Sequence, residues 1–161
     1  MADPRKRVPE DVPGDFFVDS TCIDCDACRQ IAPPRFGGAA DTSFVRSQPV
    51  TRVDRRDALR ALLACPTGSI GCLAGDSLKD VMPDFPLEVE SPVYYCGYNS
   101  PKSFGGNSYF VRHDDGNWLV DSPKFISPLV KQLEQLGGVD CIFLTHRDDV
   151  ADAGKYAHHF G

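Results

Sequence analysis

The chain of 161 residues has no long apolar run. No stretch approaches the roughly 18 to 20 apolar residues of a membrane-spanning helix, so we expect no membrane span. Residues 1–10 are charged and contain two prolines, unlike the apolar core of a secretory signal. The default expectation is a cytoplasmic protein, and the alternative is a protein processed into an organellar stroma or matrix.

Positive charge is also scarce. The chain has 17 Lys and Arg against 23 Asp and Glu, a formal net charge of −6, and a pI near 5.1. Nucleic-acid binders carry a basic surface that neutralises phosphates, so this balance argues against nucleic acid as a partner. An acidic surface is common in small electron carriers that dock on basic partner patches, although it also fits many other proteins.

The seven cysteines do not fit a disulfide framework. Their number is odd, and no secretory signal precedes them. Three of them form a C-x2-C-x2-C run, and a fourth follows after 36 intervening residues in the dipeptide Cys65-Pro66. The other three have apolar or turn neighbours and are expected to be buried free thiols: Cys72, Cys96 and Cys141.

Three close thiolates and a distant fourth predict an iron–sulfur centre. The run brings three soft ligands to one point, and the fourth closes the cage that a [4Fe–4S] cluster requires. A structural zinc site is the alternative, but it usually takes its cysteines as two separate C-x2-C pairs. Electron transfer is therefore the leading function. The predicted ligands of one [4Fe–4S] cluster are Cys22, Cys25, Cys28 and Cys65.

The sequence around these cysteines resembles the single-cluster bacterial-type ferredoxins. In two-cluster ferredoxins the run continues as C-x3-C-P, whereas here Ala32 replaces the fourth cysteine and Pro33 is kept. The positions that a second run would occupy before Cys65 hold no ligand; they are Arg55, Ala58 and Ala61. Residues 54–64 have the apolar spacing of a helix. We therefore expect a helix in place of a second cluster.

Composition divides the chain into four segments. Residues 1–13 are expected to form a flexible arm, and residues 14–73 the ferredoxin-like domain. Proline and glycine interrupt residues 74–92, which indicates a connector. The last segment, 93–161, has strand and helix patterns of its own.

The pattern of residues 93–161 predicts strands and helices in a defined order. Strand patterns on both sides of Asp114-Asp115-Gly116 indicate a hairpin. Ser127 is expected to cap a helix, residues 139–145 to form a buried strand, and residues 151–160 to begin a further helix.

This order, ending in Leu144-Thr145-His146, resembles the opening of the metallo-β-lactamase fold. Asn107-Ser108-Tyr109 and Leu119-Val120-Asp121 fit the early part of that pattern. The fold class that we expect is therefore α+β, with a ferredoxin-like iron–sulfur domain followed by an incomplete αββα metallo-β-lactamase-like half.

The second resemblance implies the metal motif T-H-x-H-x-D-H. His146 matches its first ligand, Asp148 stands at the second His position, and Asp152 matches the motif Asp only with a two-residue insertion. We expect at most a vestigial zinc or iron site on these three residues. Asp148 and Asp149 are alternatively caps of the next helix. The lack of a complete metal site favours a protein that is not an enzyme, without deciding the question.

Half of an αββα sandwich leaves one sheet face uncovered. Leu119, Ile142 and Leu144 would need cover from another subunit, a second copy or the rest of a longer protein, and we favour a fragment or a shortened gene product. A redox partner protein is also expected. Three functions remain open: an electron carrier, a fragment of a redox-coupled metallo-hydrolase or oxidoreductase, and an iron–sulfur sensing or binding module.

Overall fold

The computed structural model describes residues 2–148 and 150–161. Met1, at the start of the expected arm, and Asp149, one of the expected caps, lie outside the described residues. The chain divides into two compact units, Met1–Val81 and Met82–Gly161. The division falls inside residues 74–92, the segment that the sequence predicts as a connector.

Unit 1 consists of short strands and two helices. The strands are β1 (Phe16–Val18), β2 (Phe36–Ala39), β3 (Thr42–Val45) and β4 (Ile70–Cys72), and the helices are α1 (Ala27–Ile31) and α2 (Arg52–Ala64). β1 pairs antiparallel with β4, and β2 with β3, so the unit has two small sheets. The strand patterns of residues 16–18, 44–46 and 67–70 predict β1, β3 and β4 to within a few residues, and the helix predicted over residues 54–64 is α2. Neither α1 nor β2 is predicted.

Helix α2 replaces a second cluster-binding run, as the sequence predicts. It begins after Thr51, whose hydroxyl accepts a hydrogen bond from the Asp54 N–H, while the Asp54 carboxylate accepts one from the Thr51 N–H. This capping box satisfies N–H groups that the first turn leaves unpaired. Ala58 and Ala61, at two of the would-be ligand positions, are fully buried in the core of unit 1.

The N-terminal segment, expected as a flexible arm, is held to unit 1. Val8 is buried in the core of this unit, and its N–H donates to the Val18 carbonyl at 2.9 Å. The Asp11 carboxylate accepts the N–H of Val18 at 2.8 Å and the N–H of Val45 at 2.6 Å. Burial raises the pKa of Asp11, and these hydrogen bonds oppose the rise. The segment therefore joins β1 to β3 through one carboxylate.

Unit 2 contains a five-stranded mixed sheet and two helices. The strands, in their order across the sheet, are β5 (Leu87–Glu90), β6 (Val93–Tyr95), β7 (Tyr109–Val111), β8 (Trp118–Val120) and β9 (Cys141–Phe143). The first four pair antiparallel, which confirms the predicted hairpin between β7 and β8. Helix α3 (Ser127–Gln135) connects β8 to the parallel strand β9, and α4 (Ala153–Phe160) follows.

Two predictions about unit 2 are corrected at its helices. The residue before α3 is Ile126, and no side chain caps the helix, so Ser127 is its first residue and not its cap. Asp152, rather than Asp148, precedes α4. Among the described residues, no helix combines the length and apolar character that crossing a bilayer requires.

The exposed apolar side chains of the sheet are not the predicted ones. The register aligns Leu119 with Ile142 on one face, and Leu119 is fully buried rather than uncovered. Side chains alternate along a strand, so Trp118 and Phe143 point to the opposite face, where they are 42% and 53% exposed. Cys141 aligns with Trp118 and is also exposed, in contrast to the buried thiol and the buried strand expected there.

We expect Thr51→Ala to destabilise unit 1 by about 1 kcal/mol, because the change removes the acceptor for the Asp54 N–H at the start of α2. Chemical denaturation followed by circular dichroism measures the change in unfolding free energy. Thr51→Ser keeps the hydroxyl and is the matched control. Equal stability of the alanine and serine variants would contradict a capping role for this side chain.

Candidate metal centre

The four cysteines predicted as cluster ligands line one cavity of unit 1. They are Cys22, Cys25, Cys28 and Cys65. Cys28 is buried and the other three are half-buried. The rest of the wall combines apolar and hydroxyl side chains: Val18, Ile23, Ala27 and Ile70 are apolar, and Ser43, Thr67 and Ser69 carry hydroxyls. The structure therefore brings together cysteines that lie up to 43 positions apart in the chain.

The C-x2-C-x2-C segment curves around the cavity through two residues with left-handed backbone. Asp24 and Asp26 have φ angles of 54° and 66°, a conformation that Asp tolerates better than most residues. Arg29 on α1 holds both side chains: its Nη1 donates to Asp24 Oδ1 at 2.7 Å, and its Nε donates to Asp26 Oδ1. Arg29 thus fixes the loop that presents three of the thiols.

Helix α2 delivers the fourth thiol. Cys65 directly follows the helix and has extended backbone angles, φ −60° and ψ 116°. The following residue is Pro66, and a proline disfavours helical geometry in the residue before it, so the helix ends at this point. The C-P dipeptide therefore determines where along α2 the chain turns and presents a sulfur to the cavity.

Hydrogen-bond donors approach two of the sulfur atoms. The N–H of Ser43 on β3 donates to Cys22 Sγ at 3.4 Å, and the N–H of Ser69 donates to Cys65 Sγ at 3.3 Å. The Thr67 hydroxyl oxygen lies 3.6 Å from Cys65 Sγ. The cavity thus places N–H donors at the sulfurs of two predicted ligands.

Burial raises the pKa of the other two thiols of the cavity. It raises the pKa of Cys28 to about 12 and also raises the pKa of Cys25, and the neighbouring cysteines reinforce both shifts through charge repulsion. A hydrogen bond from the Ser43 side chain partly offsets the rise at Cys28. These two thiols are therefore protonated at neutral pH until bound cations supply positive charge, so iron binding releases protons.

The four thiols fit a [4Fe–4S] cluster by the chemistry of their donor set. A zinc ion needs its sulfur ligands about 2.3 Å from a single point, whereas a [4Fe–4S] cluster takes one thiolate at each of its four irons. Four thiols distributed around a cavity, with N–H donors near the sulfurs, match the second requirement.

Of the three residues predicted for a second metal site, His146 and Asp148 lie side by side, with 3.7 Å between His146 Nδ1 and Asp148 Oδ2, whereas Asp152 contacts other groups. His146 Nδ1 accepts the Asp148 N–H at 3.2 Å, and both side chains are exposed. The Asp152 carboxylate instead accepts the Phe125 N–H at 3.0 Å and lies 3.0 Å from Lys155 Nζ, contacts that lower its pKa against the effect of burial. Because Asp152 is engaged in these contacts, the structure gives no support to zinc or iron at this place.

Cys72 lies beside an ion-pair cluster of unit 1. Its sulfur is 3.4 Å from Arg55 Nη2 and 3.4 Å from Asp15 Oδ2. Arg55 also bridges Asp15 and Asp76, each at 2.6 Å, and it occupies the position of the first cysteine of a second run. Burial and the neighbouring carboxylate of Asp15 raise the pKa of Cys72. An arginine and its two carboxylate partners therefore occupy the position where a second run would begin.

Sequence reasoning does not single out Arg29, Ser43 or Thr67. The local pattern of two aspartates at alternate positions before an arginine is a signal for Arg29, because these side chains are near neighbours in a tight loop. Ser43 has no local signal, since its approach to Cys22 depends on the β2–β3 hairpin. Thr67 directly follows Cys65-Pro66, and its position close to a ligand is the signal that points to it.

We expect Arg29→Gln to weaken cluster retention. The variant keeps a hydrogen-bonding side chain but loses the charged guanidinium group that binds both Asp24 and Asp26. For ion pairs that are partly exposed, we expect this change to lower the stability of the ligand loop by about 1 kcal/mol. Bleaching of the visible absorbance of the reconstituted protein by a chelator measures the rate of loss. Arg46→Gln, in a residue that neighbours neither aspartate, is the control. A rate equal to that of the control would contradict the role assigned to Arg29.

Comparison with known proteins supports the first of the two resemblances. Residues 18–72 match the family model described as the 4Fe-4S single cluster domain of Ferredoxin I. The match includes all four cavity cysteines, and it implies a [4Fe–4S] cluster. No curated protein and no solved structure matches the chain, so the metallo-β-lactamase resemblance of the later residues gains no support. Residues 18–72 are a ferredoxin-type domain for a single [4Fe–4S] cluster.

Proposed function

We propose that this protein is an electron-transfer protein whose single [4Fe–4S] cluster is bound by Cys22, Cys25, Cys28 and Cys65. The observation that carries the proposal is that these four thiols line one cavity, within the residues that match the single-cluster ferredoxin family. A ferredoxin-type domain suggests an iron–sulfur electron-transfer role and implies a redox partner.

The chain's own residues suit this role through rigidity and shielding. When bound, the cluster supplies a reversible one-electron couple, whose potential depends on hydrogen bonds to the sulfurs and on solvent exposure. Val18 and Ile70, both buried, keep water from one side of the cavity, and they lie on the paired strands β1 and β4. The N–H groups of Ser43 and Ser69 offset negative charge at the ligands. A fixed cage of this kind binds and orients a redox group and needs little rearrangement when the charge changes.

Ile23 is the place where we propose that a redox partner approaches. It lies between two predicted ligands, lines the cavity, and is 45% exposed. Electron transfer slows steeply with distance. Because Ile23 is exposed and lies next to the ligands in the chain, contact at this side chain brings a partner close to the cluster. An exposed apolar side chain also suits a transient contact with another protein surface.

We also propose that residues 93–161 are the N-terminal part of a metallo-β-lactamase-like domain. The support is topological: an antiparallel run of strands is followed by helix α3 and the parallel strand β9, and Thr145-His146 comes shortly after that strand. This proposal concerns the fold alone, because the predicted ligands His146 and Asp152 are engaged with other groups.

Cys25→Ser tests the cluster assignment. A serine oxygen is a harder and poorer ligand for the irons of the cluster than a thiolate, so we expect loss of iron and sulfide or conversion to another cluster type. Iron and sulfide analysis of anaerobically purified protein, with EPR before and after dithionite, measures both results. A wild-type protein that contains zinc and no sulfide would overturn the proposed function.

Cys72→Ser is the matched control, since it changes a half-buried thiol of the same unit that lies beside Arg55 and Asp15. We expect its iron content and EPR signal to equal those of the wild type. Loss of iron in this variant, together with retention in Cys25→Ser, would show that the ligand set is wrong while leaving an iron–sulfur centre in place.

A further inference from the structure

A chain of hydroxyl groups connects a buried carboxylate to one of the cavity cysteines. The Thr21 hydroxyl donates to Asp19 Oδ1. Thr21 Oγ1 and Ser69 Oγ are 2.7 Å apart, as are Ser69 Oγ and Thr67 Oγ1. The last oxygen, Thr67 Oγ1, lies 3.6 Å from Cys65 Sγ. Three hydroxyls therefore link Asp19 on one side to a predicted cluster ligand on the other.

The direction of hydrogen bonding along this chain is set at Asp19. Its side chain is almost fully buried and accepts the N–H of Asp3 at 2.8 Å and the N–H of Thr21 at 2.9 Å. An ionised carboxylate only accepts hydrogen bonds, and each hydroxyl has a single hydrogen to donate. Thr21 gives its hydrogen to Asp19, so its oxygen accepts from Ser69. Ser69 has then used its own hydrogen, and its oxygen accepts from Thr67.

This direction determines whether the oxygen or the hydrogen of the Thr67 hydroxyl faces the sulfur of Cys65. The Thr67 hydrogen points to Ser69, so the oxygen of Thr67, and not its hydrogen, faces Cys65 Sγ. The Ser69 N–H remains a donor to the same sulfur at 3.3 Å. A reduced cluster carries one more negative charge than an oxidised one, and part of that charge lies on the ligand sulfurs. An oxygen lone pair beside the sulfur therefore destabilises the reduced form relative to the oxidised form.

We propose that Asp19 and Thr21 are positioning residues that keep the reduction potential of the cluster low by orienting the Thr67 hydroxyl away from Cys65. The proposal rests on the proposed function, because it needs a cluster bound to Cys65. Thr21 is two hydroxyls away from the sulfur along the chain, and it acts through Ser69 and Thr67.

Thr21→Val tests the proposal, since it removes the hydroxyl and nearly keeps the shape of the side chain. The Ser69 hydrogen is then free to turn to Thr67, and the Thr67 hydrogen to the negatively charged sulfur, where a charge-assisted bond is favoured. We expect a more positive midpoint potential in an EPR-monitored redox titration of the holoprotein. One net hydrogen bond corresponds to about a fivefold change in the equilibrium constant for reduction, or about 40 mV for a one-electron couple.

Ser69→Ala is the second variant, and it cuts the chain one link closer to the cluster. It keeps the backbone N–H that donates to Cys65 and frees the Thr67 hydroxyl, so we expect a positive shift of similar size. Thr67→Val is the matched background. Without the Thr67 hydroxyl, Thr21 has nothing to act through, so the Thr21→Val/Thr67→Val double variant should have the potential of Thr67→Val alone.

Iron and sulfide content, measured first, separates the two proposals. A wild-type protein without a cluster overturns the proposed function itself. With the cluster intact, positive shifts in Thr21→Val and Ser69→Ala that vanish in the Thr67→Val background support the positioning role. An unchanged potential in both variants overturns the positioning role. A Thr21→Val shift of the same size with and without the Thr67 hydroxyl also overturns it, because the effect of Thr21 would then not pass through Thr67.

Discussion

The placement of four thiols around one cavity is the constraint on which the rest of unit 1 depends. Burial raises the pKa of Cys25 and Cys28, and repulsion between the ionised sulfurs of neighbouring cysteines raises both pKa values further. Positive charge from bound iron removes that conflict, so cluster binding and ordering of the ligand loop stabilise each other. In the protein without a cluster, the hydrogen bonds of Arg29 to Asp24 and Asp26 and the end of α2 at Cys65 hold the thiols in place.

The absence of a second cysteine run before Cys65 has a direct structural counterpart in α2. Two of the three positions that such a run would occupy carry small side chains, Ala58 and Ala61, which are fully buried in the core of unit 1. Arg55, at the first of these three positions, is half-buried and forms ion pairs with Asp15 and Asp76. The same helix delivers Cys65, so the position of the fourth predicted ligand depends on an element that carries no ligand within its own turns.

The sequence predicts the ligands and α2 because spacing and periodicity are local signals, and it fails where contacts come from distant segments. Helix α1 has five residues, too few to show a period. Ser43 reaches Cys22 only through the β2–β3 hairpin. Alternation in β8 shows that Trp118 and Leu119 face opposite ways but not which face is covered, so the exposed face is predicted wrongly.

The negative charge of the chain is unevenly divided between its two units. Residues 1–81 contain 11 Lys and Arg and 12 Asp and Glu, whereas residues 82–161 contain 6 and 11. The acidity that suggests docking on a basic partner therefore belongs mainly to unit 2. Near the exposed Ile23, the carboxylate of Asp24 is already paired with Arg29. We therefore propose that the apolar side chain of Ile23, rather than charge on unit 1, selects the redox partner.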